Sequence, residues 1–345
     1  MKVDQAFFDL EVRSMCLEAA GVMSLTLRDP TGAALPEWVP GAHIDLMLQN
    51  GVLRQYSLCS DPSERGQWRV GVLREVAGRG GSAYVHDELR PGDTVRVRVP
   101  RNNFSLVPAS AYLFVAGGIG ITPLLPMVRE ATVRKVPWRL IYLGRSRAGM
   151  AFLPELEALA AQGGELTVHA SDEAGRYPLD LLLADTMAAD PALHLYTCGP
   201  PQLLAALTSS LEAVTATGAP TGTPVDPARF HVERFVADPL AEPGTTAATG
   251  DSGAGVDEGF IVEIADGTEI EVPAGRSILE SLELAGLNPL NSCREGICGT
   301  CETSVISGEI DHRDSLLSDD ERAAGDTMMI CVSRCRGRRL VLDFE

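Results

Sequence analysis

Four cysteines near the end of this 345-residue sequence are spaced like the ligands of a redox-active metal centre. They are Cys293, Cys298, Cys301 and Cys331, in the pattern Cys-x4-Cys-x2-Cys with the fourth residue far downstream. This is the plant-type spacing that holds a 2Fe-2S cluster, so it predicts one-electron chemistry. Zinc sites usually show two closely spaced cysteine or histidine pairs, and disulfides suit small secreted chains, so we favour the cluster over both alternatives.

The loop that carries the first three cysteines contains two glycines. Gly296 and Gly299 let the loop wind tightly, so that backbone N–H groups can point towards the cluster sulfides. Cys335, which follows Cys331 by four residues, is an alternative fourth ligand. We favour Cys331 because it follows the strand-like run 328–330. Cys335 lies among arginines that we expect to be solvated, Arg334, Arg336, Arg338 and Arg339.

The whole chain is too long for a cluster domain alone and predicts two or three domains, each with its own core. Its first ten residues have no apolar stretch after a basic start, so we expect a cytoplasmic protein whose eight cysteines are thiols or ligands. A net charge of -18 argues against binding to nucleic acid or anionic membranes, and it fits either solubility or steering of a basic protein partner. Residues 111–128 are apolar, but three glycines and two prolines argue against a membrane helix.

A change of composition divides the chain at 237–256, a stretch rich in Gly, Ala, Thr and Pro without periodicity. We predict a flexible linker with an r.m.s. reach on the order of 25 Å. Beyond it, 260–264 and 269–272 show a hairpin pattern, and a helical pattern at 277–285 leads into the cysteine loop. Residues 257–345 are therefore predicted to form a small α+β domain that holds the cluster.

The first 107 residues consist of short runs of alternating apolar and polar residues. Clear examples are 22–27, 69–73 and 94–99, and Pro-Gly pairs at 40–41 and 91–92 mark turns between such runs. We therefore predict an antiparallel β-barrel domain over 1–107.

Residues 108–236 show the pattern of a parallel α/β domain. An apolar strand at 112–116 leads into a glycine turn at 117–123 and a helix at 124–132. This arrangement forms an anion site, because backbone N–H groups and the positive end of the helix dipole face the same point. Further strands and helices are predicted at 139–143, 153–161, 193–197 and 202–213.

The glycine turn is a weak nucleotide signal by itself, because it is not Gly-x-Gly-x-x-Gly and tight glycine turns also serve packing. The segment 198–200, Cys-Gly-Pro, strengthens it. It lies at the carboxyl end of the third predicted strand, where open α/β sheets bind ligands.

Two segments of the barrel domain have side chains that could bind a phosphate and an aromatic ring. Arg54 offers a fork of donors to a phosphate, Tyr56 offers a ring and a hydroxyl, and Ser57 offers a second hydroxyl. Residues 80–82, Gly-Gly-Ser, would bring backbone N–H groups close to a phosphate. Both segments also fit an ordinary strand and an ordinary loop, so this interpretation depends on the rest of the chain.

Taken in order, these motifs resemble those of the phthalate dioxygenase reductase group of the ferredoxin-NADP reductase superfamily, which also includes vanillate demethylase reductases. The resemblance covers nearly the whole chain. Its signals are Arg54-Gln-Tyr56-Ser57, Arg79-Gly80-Gly81-Ser82, Gly117 to Pro123, Cys198-Gly199-Pro200, Glu233-Arg-Phe235 and the C-terminal ferredoxin. It implies a multidomain chain with an antiparallel β-barrel flavin domain, an α/β parallel-sheet nucleotide domain and an α+β ferredoxin domain of β-grasp type.

The resemblance also implies roles for single residues. Ser57, Cys198 and Glu233 would act at the reaction centre, with Cys198 near the nicotinamide and Glu233 near the flavin, and Phe235 would stack on the flavin. The other flavin contacts would be Arg54, Tyr56, Val72, Leu73, Arg74, Gly80, Gly81 and Ser82. The nucleotide contacts would be Gly117, Gly118, Gly120, Ile121, Thr122, Pro123, Cys198, Gly199 and Pro200. From the residues alone, Cys198, Glu233 and Phe235 could instead be a buried thiol, an exposed acid and a core aromatic.

The resemblance implies the reductase component of an oxygenase system. Such an enzyme takes hydride from NADH at FMN and passes single electrons through the 2Fe-2S cluster to a Rieske-type non-haem iron oxygenase of aromatic catabolism. FMN is preferred because Arg-Gly-Gly-Ser resembles the FMN branch, and NADH is preferred although Arg145 and Arg147 could hold a 2′-phosphate. The alternatives are an FAD-containing reductase for another oxygenase or a hybrid-cluster protein, and a redox carrier or sensor without hydride chemistry.

Overall fold

The computed structural model describes residues 7–76, 78–179, 190, 192–217, 226–236 and 258–344. Contacts divide the chain into two compact units, Met1–Phe235 and Val236–Glu345. Each unit has its own sheets and its own hydrophobic core. The predicted linker at 237–256 lies outside the described residues.

The first unit begins with six antiparallel strands. They are β1 (Phe8–Ala19), β2 (Val22–Arg28), β3 (His43–Met47), β4 (Leu53–Ser57), β5 (Trp68–Leu73) and β6 (Thr94–Val97), in the order β4-β3-β6-β1-β2-β5. An antiparallel bridge between Leu58 and Val70 joins the two ends of the sheet and so closes the predicted barrel. A short helix, α1 (Gly81–Asp87), follows β5.

Alternation of side chains explains the barrel, because successive residues of a strand point to opposite faces. Leu25 and Leu27 of β2 are fully buried, as are Val70 and Val72 of β5. The register places Leu25 directly opposite Val70. Burying such a side chain contributes about 1.5–3 kcal/mol, so these four side chains hold the strands together as a packed core.

The rest of the first unit is a five-stranded sheet with parallel neighbours throughout. Its strands are β7 (Ala111–Gly117), β8 (Trp138–Gly144), β9 (Glu165–Ala170), β10 (Leu193–Cys198) and β11 (Phe230–Glu233), in the order β11-β10-β7-β8-β9. Its helices are α2 (Ile121–Arg134), α3 (Leu153–Ala160), α4 (Ser171–Ala174) and α5 (Pro201–Thr217). The strand order reverses between β7 and β10, and such switch points are where open sheets bind ligands.

Two of these strands were not predicted from the sequence, which indicated only three. Strand β9 begins with an exposed glutamate and is mostly half-buried, so its pattern is weakly apolar. Strand β11 has only four residues and lies at the edge of the sheet. Helix α2 starts at Ile121 rather than at residue 124, so the end of the glycine turn is the first turn of the helix.

The apolar run 111–128 forms β7, the glycine turn and the first half of α2. Phe114 and Ile121 are buried in one cluster, whereas Leu113 and Val115 are buried in another. A parallel strand that is buried on both faces has apolar residues at successive positions, which explains why this run is continuously apolar. Among the described residues, no helix has both the length and the apolarity needed to cross a membrane.

The second unit is a small α+β fold. Its main sheet has the order β13-β12-β18-β14-β16 and contains β12 (Phe260–Ile264), β13 (Glu269–Val272), β14 (Glu302–Ser307), β16 (Thr327–Met329) and β18 (Arg339–Asp343). The other elements are β15 (Ile310–Asp311), β17 (Arg334–Cys335), α6 (Ile278–Leu284) and α7 (Asp319–Ala324). The hairpin predicted at 260–264 and 269–272 is confirmed. The barrel, the parallel α/β sheet and the α+β unit together confirm the predicted fold class.

Candidate functional site

Arg54 lies on β4 with its side chain against the start of α1. Its guanidinium donates to the carbonyl oxygens of Leu53 and Arg79, at 2.7 and 2.9 Å. A Cβ atom on Gly81 would come within 2.7 Å of Arg54 Cγ, so glycine is required for this approach. Partial burial and the neighbouring Arg79 lower the pKa of Arg54. An anion bound beside Arg54 would stabilise its positive charge and so counteract both causes of the lowered pKa. Arg54 and the backbone at the start of α1 therefore fit a phosphate group.

Helix α1 is also attached to β5. The His86 ring nitrogen Nε2 lies 3.0 Å from the carbonyl oxygen of Val72. The Asp87 carboxylate accepts two hydrogen bonds from the Arg74 guanidinium, which raises the pKa of Arg74. These contacts place the predicted flavin residues of β5, including Leu73, beside α1. No ligand spacing surrounds His86 in the sequence, so this contact could not be predicted from it.

Three hydroxyl groups of the predicted flavin site have different surroundings. Burial raises the pKa of Tyr56 to about 12, so this phenol remains protonated. Ser57 is 4% exposed and pairs with His43 of β3. Ser82 Oγ accepts a hydrogen bond from Glu75 N at 3.0 Å, which leaves its hydroxyl hydrogen for another acceptor.

The predicted nucleotide residues meet at the switch point of the parallel sheet. A Cβ atom on Gly120 would overlap the carbonyl oxygen of Cys198, and one on Gly117 would lie 2.6 Å from Pro200 Cδ. Thr122 Oγ1 donates to the carbonyl oxygen of Ile119 at 2.9 Å, within the first turn of α2. The structure therefore brings together Gly117, Gly118, Gly120, Ile121, Thr122 and Pro123 with Cys198, Gly199 and Pro200.

Cys198 and Glu233 lie side by side, because they are register partners at the ends of β10 and β11. The Cys198 thiol and the Glu233 carboxyl group share a hydrogen bond. Burial raises the pKa of Cys198, and burial also raises the pKa of Glu233 to about 8. Among the described residues, Glu233 Oε2 is shielded from solvent without a hydrogen-bond partner. Phe235 follows at 39% exposure.

The nucleotide turn packs directly on β5 of the barrel. A Cβ atom on Gly71 would lie 2.8 Å from Thr122 Cγ2 and 3.4 Å from the Phe152 ring. Val72 and Leu73 follow Gly71 directly in the chain. The predicted flavin strand and the predicted nucleotide turn therefore adjoin, as transfer between two bound molecules requires.

In the second unit, the four predicted cluster ligands are connected by thiol contacts. Cys293 hydrogen-bonds both Cys298 and Cys331, and Cys331 also hydrogen-bonds Cys301. Three of these side chains are buried, at 5% exposure for Cys298, 4% for Cys301 and 7% for Cys331, whereas Cys293 is half-buried. The Glu295 N–H group donates to Cys293 Sγ at 3.3 Å.

These contacts fit a 2Fe-2S cluster, which is held by four cysteine thiolates. The hydrogen bond with Cys293 and burial raise the pKa of Cys298, and iron would supply the positive charge that a thiolate needs there.

Cys335, the alternative fourth ligand, lies on β17 opposite Ile310. Its Sγ accepts from Gly337 N at 3.2 Å, and burial raises its pKa. The expected solvated setting is wrong for its neighbour Arg334, which is 4% exposed and donates to main-chain oxygens such as that of Pro273 at 3.2 Å. Cys331 as the fourth ligand remains a prediction.

Asp314 supports the cysteine loop and was missed by sequence reasoning. Its side chain is fully buried, and Oδ2 accepts from the backbone of Leu316 and Leu317 at 3.1 and 2.8 Å. The next residue, Ser315, donates its N–H to the Gly296 carbonyl at 3.0 Å. In the sequence, only the Asp-Ser pair, whose residue types favour turns, could have indicated this role of Asp314.

Comparison with known families identifies three domains in this order. An oxidoreductase FAD-binding domain matches residues 9–106, an oxidoreductase NAD-binding domain matches 114–209, and a 2Fe-2S iron-sulfur cluster binding domain matches 262–336. These matches support a flavin, a nicotinamide nucleotide and a 2Fe-2S cluster as the bound groups. The bounds 1–107, 108–236 and 257–345 remain predictions.

Several curated proteins are similar over almost their whole length. Phenoxybenzoate dioxygenase subunit beta of Ectopseudomonas oleovorans is 40% identical over 97% of this chain and 96% of its own. Phthalate dioxygenase reductase of Burkholderia cepacia is 37% identical, over 99% and 98%. The carnitine monooxygenase reductase subunit of Escherichia coli is 35% identical, over 99% of both chains.

Three of the similar solved structures cover 98% of this chain. Phthalate dioxygenase reductase, described as a modular structure for electron transfer from pyridine nucleotides to [2Fe-2S], has a TM-score of 0.66, 36% identity and 98% coverage of its own chain. An intact type IV self-sufficient cytochrome P450 monooxygenase has a TM-score of 0.79 and 38% identity. The present chain spans only 41% of the length of that monooxygenase.

Proposed function

This chain belongs to the phthalate dioxygenase reductase family, and on that premise we propose that it is the reductase component of an oxygenase system. It is an NADH-dependent oxidoreductase with flavin and iron–sulfur domains. When bound, the flavin accepts a hydride, two electrons in one step, and releases electrons singly, as a 2Fe-2S centre requires. Each NADH thus supplies two one-electron transfers and leaves NAD⁺ and one proton.

The observation that carries this proposal is the contact between Gly71 and Thr122. It joins the strand assigned to the flavin to the turn assigned to the nucleotide, within one compact unit. No general acid or base is needed for hydride transfer, so the main task of the protein is to position its ligands.

Residue roles follow from the placement of each side chain. We assign the flavin phosphate to Arg54 and the backbone at 80–82, and the nucleotide phosphates to the start of α2. Cys198 would border the nicotinamide, whereas Glu233 and Ser57 would lie near the flavin. Glu233 is largely protonated at neutral pH because its pKa is about 8, so it can donate a hydrogen bond and adds little negative charge there.

FMN is the flavin that we propose. Arg54 packs against Gly81 and Ser82 follows directly, so these residues could form one phosphate site, and the Arg-Gly-Gly-Ser pattern resembles the FMN branch. The matching domain family is named for FAD, so the flavin must be identified directly. Heat release of the cofactor and chromatography beside FMN and FAD standards will do so, and FAD in stoichiometric amount would contradict the proposal.

The electron acceptor that we propose is a Rieske-type non-haem iron oxygenase. Relatives are named as parts of dioxygenase and monooxygenase systems. Similarity to a self-sufficient P450 supports a haem monooxygenase as the second candidate. Reduction of a purified Rieske oxygenase, compared with a purified haem monooxygenase, will discriminate between the two.

An anaerobic titration tests the enzymatic function itself. NADH should bleach the flavin absorbance first and the iron–sulfur absorbance afterwards. A protein that holds both groups but shows no bleaching would be a carrier or sensor and not an NADH oxidoreductase.

A further inference from the structure

A cluster of charged side chains joins the barrel to the parallel α/β sheet. At its centre, Glu155 at the start of α3 accepts a hydrogen bond from Arg69 of β5, at 2.8 Å from Nη2 to Oε2. Its other oxygen, Oε1, accepts from Arg129 of α2. Arg129 also lies 3.8 Å from the Asp61 carboxylate of the barrel, and Arg69 donates to the Cys59 carbonyl oxygen at 2.9 Å.

The three central side chains are only about a quarter exposed, with relative exposures of 23% for Arg69, 24% for Arg129 and 25% for Glu155. Hydrogen bonds between charged groups that are both partly buried are stronger and more directional than exposed ion pairs. One carboxylate therefore fixes two guanidinium groups that belong to different domains.

Each arginine partner of Glu155 lies on an element that contributes to one of the two proposed ligand sites. Arg69 is two residues before Gly71 on β5, and Arg129 lies on the helix whose first turn contains Thr122. Phe152 reinforces the junction: its ring packs near Gly71 and lies 5.0 Å from the Arg69 guanidinium carbon. Phe152 also has φ 61°, a left-handed conformation that the surrounding contacts must maintain.

We propose that Glu155 is a positioning residue for hydride transfer: by joining Arg69 to Arg129, it fixes the nucleotide turn at the correct distance from the flavin strand. This inference rests on the proposed function. Glu155 touches neither ligand site, so it acts through its two arginine partners. A small displacement of reacting atoms can reduce a rate by on the order of 100-fold, so loosening this junction should slow transfer without preventing binding.

The test uses the full chain loaded with its flavin and cluster. Glu155→Gln keeps the size of the side chain and removes its charge, whereas Glu157→Gln, on an exposed residue of the same helix, is the matched control. For Glu155→Gln we expect the limiting rate of flavin reduction by NADH to fall about tenfold or more. ADP-ribose affinity, flavin content and the flavin reduction potential should stay at wild-type values, and Glu157→Gln should match the wild type throughout.

A second variant tests the same junction from the other domain. Arg129→Gln should also slow flavin reduction, and the double variant should be slowed by less than the product of the two single effects, because both substitutions remove the contact between Glu155 and Arg129. The long-wavelength absorbance of the complex of reduced flavin with NAD⁺ should weaken in each.

An unchanged limiting rate in Glu155→Gln would overturn the proposal, as would a fall that is matched by loss of flavin or of ADP-ribose affinity. Fully additive effects in the double variant would also overturn it. Failure of the proposed function looks different, because NADH would then not reduce the flavin of the wild-type protein.

Discussion

The Cys198 thiol hydrogen-bonds the Glu233 carboxyl group at the carboxyl ends of two neighbouring parallel strands. Burial raises the pKa of both groups, so at neutral pH the pair carries little charge. A nicotinamide ring bound beside it becomes positively charged when NADH is oxidised. That charge would favour the carboxylate, so we expect nucleotide oxidation to lower the pKa of Glu233.

Glu233 should make the stability of the first unit dependent on pH. Its pKa rises from 4.5 to about 8 on folding, so its stabilising contribution is complete below pH 4.5 and is lost as pH rises through 8. Glu233→Gln should remove this pH dependence. Above pH 8, its free energy of unfolding should exceed that of the wild type by on the order of 3 kcal/mol. Urea unfolding, followed by tryptophan fluorescence, will measure the free energy of unfolding of the first unit as a function of pH, because all three tryptophans lie in that unit. Equal pH profiles for the variant and the wild type would contradict the assignment.

Arg54→Ala should weaken flavin retention. The change removes a charge-assisted contact to the proposed phosphate, typically worth about 1.5–3 kcal/mol. The measurement is the ratio of flavin absorbance to protein after dialysis, with Arg13→Ala, an exposed arginine of β1, as the control. Full flavin content in Arg54→Ala would mean that Arg54 only supports the strand.

Gly120→Ala should disrupt the nucleotide turn. The added methyl group would overlap the Cys198 carbonyl oxygen, and overpacking of this kind costs about 1–3 kcal/mol. The expected result is a lower unfolding midpoint and weaker ADP-ribose binding. Gly66→Ala is the control, because nothing lies within 4 Å of the Cβ position there. If both variants bind ADP-ribose like the wild type, the turn is not the nucleotide site.

Much of this architecture could be predicted from local signals. The spacing from Cys293 to Cys331 identified the cluster loop, and the Asp-Gly turn fixed the hairpin of β12 and β13. Continuous apolarity identified β7 because that strand is buried on both faces. Strand β9 was missed because its side chains are mostly half-exposed, and that pattern does not differ from loop composition.

The charged junction could not be predicted, because it depends on residues far apart in the chain. Arg69 and Glu155 are separated by 86 residues. Exposed arginines and glutamates occur throughout any acidic surface, so neither residue type nor spacing marks this pair. The left-handed φ of Phe152 could not be predicted from the sequence either, because it follows from packing and not from the intrinsic preference of phenylalanine.

NADH should be preferred to NADPH, and Arg145 and Arg147 provide the test. Both are exposed, and Arg145 directly follows the carboxyl end of β8. If these side chains do not bind a 2′-phosphate, Arg145→Ala and Arg147→Ala should leave kcat/KM for NADH and the preference over NADPH unchanged. Comparable wild-type efficiency with both nucleotides, lost for NADPH alone in either variant, would show that they do bind it.

Cys298→Ser should prevent assembly of the cluster while the first unit stays folded, because the two units have separate cores. The variant should still reduce ferricyanide with NADH, since that acceptor takes electrons from flavin directly, but it should fail to reduce cytochrome c or the oxygenase. Cys331→Ser should behave in the same way, whereas Cys335→Ser should keep the cluster absorbance. Retained transfer to the oxygenase in Cys298→Ser would place the cluster off the pathway. Loss of the cluster in Cys335→Ser, with retention in Cys331→Ser, would make Cys335 the fourth ligand.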